Sequence, residues 1–141
     1  WLGVSGRPTL TADRLRGIGA IFTLFERLFA KRTTPHLSHR DEPGVGPLNG
    51  VCYMWWDDFA GGGAEEAARA RLEDAIFDVV VRTLALDSIA CQESALHGLG
   101  HWPRNDFARV LPVVDAYLAR AGELRPELAR YARSARDGCI L

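Results

Sequence analysis

The chain has 141 residues, 48% hydrophobic and 25% charged, with a net charge of −1. That balance excludes a disordered segment, and 17 basic against 18 acidic residues give no electrostatic footprint for nucleic acid or an anionic membrane surface. No apolar run approaches the roughly 20 residues that cross a bilayer, so no membrane partner is expected.

The first element is predicted from about Thr11 to Lys31. Thr9 or Thr11 can cap it, and Asp13 suits the positive end of the helix dipole. Leu15, Ile18, Phe22, Phe25 and Phe29 recur at helical spacing, and Ile21, Leu24 and Leu28 widen the stripe enough to touch neighbours on two sides. From 32 to 47 the pattern stops. Pro35, Pro43, Gly44, Gly46 and Pro47 break any helix, which leaves a long loop carrying His36 and His39. Leu48 to Ala60 reads as a short buried helix, with a strand as the alternative, and Gly61, Gly62 and Gly63 end it.

Glu65 and Glu66 open a third helix running to about Leu86, with Leu72, Ile76, Val79 and Val80 inward and Arg69, Glu73 and Asp74 outward. Asp87 or Ser88 caps a fourth, from Ile89 to about His101, which must stop before Pro103. A fifth starts at Asn105 or Asp106, and Pro112 should kink it or break it in two. The last has Pro126 in its first turn and Gly138 as its stop.

The pattern predicts a single all-α domain over 1–141, about six helices in antiparallel pairs. The third and fourth helices, then the fifth and sixth, form units of similar length. A proline interrupts the first helix of the second unit, and Leu96-His-Gly-Leu-Gly-His-Trp ends the second helix of the first. Over about residues 65 to 138 this resembles HEAT/armadillo-like α-helical repeats. The resemblance implies a right-handed solenoid that serves as a noncatalytic binding scaffold. A compact helical bundle is the alternative. An isolated run of repeats would leave apolar end faces, so weak self-association is expected.

Cys52, Cys91 and Cys139 are an odd set without CxxC spacing, so a reducing, cytoplasmic setting without disulfides is expected. Lys31 is the only lysine, and this arginine bias suggests a GC-rich bacterial coding sequence. Trp1-Leu-Gly-Val does not read as a leader peptide, and a start at Trp1 fits a domain cut from a longer chain.

Two groupings carry possible chemistry. Trp55, Trp56, Asp57 and Asp58, with Trp102, offer an aromatic and acidic surface suited to a protein or peptide partner that carries cationic groups. Glu93, His97 and His101 stack at four-residue intervals on one helix, and His36 and His39 could complete a tetrahedral zinc site with them. Against a metal, a histidine near a helix C-terminus is favoured by the dipole alone, and Gly98 and Gly100 equally suit close helix packing. Without an H-E-x-x-H motif or a nucleophile elbow, catalysis is not expected, nor is a resident cofactor. The leading expectation is an interaction domain; the alternative is a metal-binding protein or metal-dependent enzyme.

Overall fold

The computed structural model describes residues 6–57 and 66–140. Six main helices account for the architecture, and no strand occurs among the described residues. Helix α1 (Gly6–Leu24) begins earlier than expected and runs straight into a π-helical segment, Phe25–Phe29, and a last turn, Ala30–Arg32. The wider π turn still buries both Phe25 and Phe29, with ring centroids 4.9 Å apart. Helix α2 (Pro47–Tyr53) is shorter than its predicted span, and residues 54–57 follow as turns.

Helix α3 (Glu66–Leu84) carries Leu72, Val79 and Val80 inward as its pattern requires. Helix α4 (Ile89–Gly100) starts at Ser88, whose hydroxyl accepts the Cys91 amide at 3.3 Å, and stops short of Pro103. A 3-10 segment, Arg104–Arg109, then leads into α5 (Val110–Leu118). Pro112 therefore lies in the first turn of α5, where its missing N–H leaves no bond unmade. Helix α6 (Pro126–Arg136) is followed by Gly138 at φ 65°, a left-handed stop suited to glycine.

Consecutive helices α3 and α4 pack together, as do α5 and α6, while α1 packs on α3, α2 on α4 and α4 on α6. Helix α4 is thus enclosed, and every residue from Glu93 to Gly100 is buried. Its glycines explain how neighbours approach so closely. A Cβ at Gly98 would sit 2.9 Å from Trp56 Cγ, and one at Gly100 would collide with Ile140. No helix among the described residues is long and apolar enough to cross a membrane.

The segment from Thr33 to Gly46 has little regular structure, yet side chains from the helices pin it. Asn49, fully buried on α2, donates to the carbonyls of Thr34 (2.8 Å) and His36 (3.1 Å) and accepts the Thr34 amide (2.9 Å). Glu42 accepts two bonds from the Arg125 guanidinium (2.6 and 3.2 Å) and one from the Leu37 amide (2.9 Å). Those contacts, the Arg125 bonds first, hold the Glu42 carboxyl below its ordinary value of 4.5. The unfolded chain takes up that proton more readily, so this stabilisation is complete above the ordinary value and fades as pH falls through the folded one. Glu42→Gln is expected to flatten the acid limb of the stability curve, read as urea midpoints between about pH 5 and pH 3.

Candidate functional site

Helix α4 and the turn after α2 together build the site. Spacing puts His101, the residue just past the end of α4, one turn beyond His97, and their ring centroids are 4.6 Å apart in an edge-on arrangement. The His97 Nδ1 faces the Tyr131 hydroxyl of α6 at 3.0 Å, and that hydroxyl lies 2.9 Å from the Tyr53 hydroxyl. Its Nε2 lies 2.8 Å from Asp57 Oδ1, a contact spanning 40 residues of chain. Burial pushes the His97 pKa below the usual 6.5, partly offset by Asp57, which favours the neutral imidazole. In that form Nε2–H donates to the Asp57 carboxylate, which only accepts, and Nδ1 accepts from the Tyr131 hydroxyl.

Asp57, His97 and His101 each offer a ligand atom, and these atoms lie within 4.8 Å of one another. His97 is almost wholly buried, while Asp57 and His101 are exposed. Glu93, expected as the ligand beside the two histidines, is not part of this group. Its fully buried carboxylate accepts the amides of Ser38 and His39, both at 2.9 Å, and meets His39 Nδ1 at 2.6 Å. Asp57 occupies the place anticipated for Glu93. His39 is likewise committed, bonded to Glu93 and stacked on Tyr131 with centroids 4.1 Å apart. The His36 ring lies against Gly44, whose φ of 94° brings the backbone close. Neither loop histidine joins the Asp57 group.

The aromatic and acidic residues divide in two. Trp55 is half-buried and lies edge-on to Phe25 and Phe29, so it belongs to the core. Trp56 is buried, and its ring stacks on Phe25 at 5.3 Å with planes 8° apart. Its other surroundings include a cavity of about 510 Å³ shared with Trp102. Leu72, Ile76 and Val80 of α3 line the cavity, with Asp57, Glu73 and His101 as its polar groups. Its described lining contains no lysine or arginine. Glu73, expected to face solvent, is half-buried there instead. Asp58, the remaining candidate, lies outside the described residues, as does Trp1.

Trp102 is fixed from behind: its indole N–H donates to Asp106 at 3.1 Å, and Phe77 packs on it at 5.0 Å. Arg109 is tied to Asp74 (2.8 Å) and Asp106 (3.2 Å) while stacking over Phe77, with its guanidinium 6.0 Å from the centre of a Trp102 ring. The cavity is therefore aromatic and apolar along its walls, with two carboxylates and a histidine as its polar groups. Comparisons with known protein families, with curated proteins and with solved structures found no match, so the site's own geometry carries the functional reading.

Proposed function

We propose that this chain is a noncatalytic interaction domain whose cavity receives an arginine or lysine side chain from a protein or peptide partner. The observation that carries this is the convergence of Trp56, Trp102, Asp57 and Glu73 on one cavity without a described basic side chain. An apolar stem has Leu72, Ile76 and Val80 to bury against, and a cationic head has indole rings and carboxylates to meet. A volume of about 510 Å³ lies within the usual range for ligand pockets. Asp57 is available for the task because only its Oδ1 is engaged by His97, and its side chain is 36% exposed.

The packing order supports a HEAT-like, two-layer arrangement as the scaffold. Contacts between α1 and α3, α2 and α4, and α4 and α6 support a stack of helix pairs, while α3 and α5, first helices of successive pairs, do not pack closely on each other. In this reading α4 is the second helix of the middle pair, enclosed by both neighbours. The free cysteines, two of them buried, fit a reducing, cytoplasmic compartment.

Tryptophan fluorescence provides the test, because Trp56 and Trp102 report on the cavity directly. Short peptides with a central arginine or lysine are expected to change the emission saturably, and the norleucine counterpart is not. Asp57→Asn is expected to weaken the arginine peptide by roughly tenfold, about 1.4 kcal/mol, as fits loss of a charge-assisted contact. Equal binding of the norleucine and lysine peptides would remove the charge argument.

A further inference from the structure

We infer that Asp57, His97 and His101 form a binding site for a single divalent transition-metal ion of the zinc class, at the mouth of the same cavity. The donors are one carboxylate and two imidazoles, a set of borderline softness that suits zinc and its first-row neighbours over calcium or magnesium. Their ligand atoms already lie within 4.8 Å of one another. A tetrahedral ion about 2 Å from each donor sets the donors about 3.3 Å apart. Asp57 and His97, in contact at 2.8 Å, part slightly to admit it, and the exposed His101 moves in to complete the set.

The support behind His97 is the independent observation. A metal-binding histidine is usually oriented by a partner on its other ring nitrogen. Here the Tyr131 hydroxyl holds Nδ1 at 3.0 Å and so directs Nε2 towards Asp57. Without an ion, Nε2–H donates to the Asp57 carboxylate; binding at Nε2 displaces that hydrogen and leaves the imidazole protonated on Nδ1, whose N–H the Tyr131 oxygen accepts. Tyr131 is thus a positioning residue, itself fixed by Tyr53 at 2.9 Å. Three protein ligands leave a tetrahedral ion one open position, and two of the three, Asp57 and His101, line the cavity.

This inference stands apart from the peptide-binding proposal, although both use Asp57. Ion and cationic side chain would exclude one another there, so a titration without peptide reads the metal site alone. The full chain, purified with chelator and then freed of it, is titrated with zinc against a chromophoric chelator, and with cobalt(II) for its visible d–d bands. One equivalent of zinc is expected to bind, and cobalt is expected to give the spectrum of a nitrogen- and oxygen-ligated ion. His101→Gln, at an exposed position, should leave the circular dichroism unchanged and weaken zinc by at least about tenfold. Tyr131→Phe is expected to weaken it by roughly 10- to 100-fold while retaining one equivalent. His36→Gln should change nothing. Failure of the wild-type protein to bind zinc, or affinity unaltered by both His101→Gln and Asp57→Asn, would overturn the inference.

Discussion

Replacing Glu93 by alanine is expected to destabilise the protein by about 3–5 kcal/mol, the cost of removing one partner from a buried charged network. The carboxylate accepts the Ser38 and His39 amides and also meets the His39 ring. Truncation removes the acceptor from those part-buried donors, and each group left unsatisfied costs about 1–3 kcal/mol. Glu93→Gln keeps one acceptor oxygen but turns an amide NH₂ towards a backbone N–H, so it should fall between. Urea denaturation measures the loss. Limited proteolysis at Arg40 is expected to accelerate in parallel, because this carboxylate holds the Ser38–Arg40 turn against α4. A variant as stable and as resistant as the parent would show that the loop is held elsewhere.

The second large effect is expected at Phe25. Its ring is fully buried, 4.9 Å from Phe29, edge-on to Trp55 at 6.1 Å and stacked on Trp56 at 5.3 Å. Phe25→Ala is expected to cost about 3–5 kcal/mol, through lost burial and the cavity left among rings too rigid to collapse into it. Phe25→Leu retains most of the volume and should cost less than half as much. The alanine variant also removes the surface against which Trp56 rests, so peptide binding should weaken beyond what the stability loss explains. Denaturation followed by tryptophan emission reports both consequences in one experiment.

These two residues show how unevenly the sequence exposes its structure. Local chemistry was legible. Ser88 before α4 and Pro103 after it, Pro126 and Gly138 around α6, and Pro112 in the fifth helical stretch all act within a turn or two of chain, and the helix boundaries follow them. The π segment was not, because Phe25 and Phe29 are spaced acceptably for either helix type. Nor was the ordering of the Pro- and Gly-rich loop, whose anchors Glu93 and Arg125 lie far along the chain and act only once the helices have packed, with Asn49 reaching back from just beyond it.

The site was half legible for the same reason. Four-residue spacing put Glu93, His97 and His101 on one face of α4, but it could not say what covers that face. The loop covers its beginning and takes Glu93; the turn after α2 covers its end and supplies Asp57. Two adjacent tryptophans implied different directions, and the structure sends Trp55 to the core and Trp56 to a place between core and cavity. The pairing of Trp56 with Trp102 has no sequence signal, since the two meet only through α3 and the end of α4.

The most direct measurement of the central claim is a ¹⁵N-resolved NMR titration of the indole N–H signals with the arginine peptide. The Trp56 and Trp102 signals are expected to shift together along one saturation curve, while Trp55, packed against Phe25 and Phe29, stays in place. Shifts confined to Trp55, or no indole shift while the peptide demonstrably binds, would contradict it.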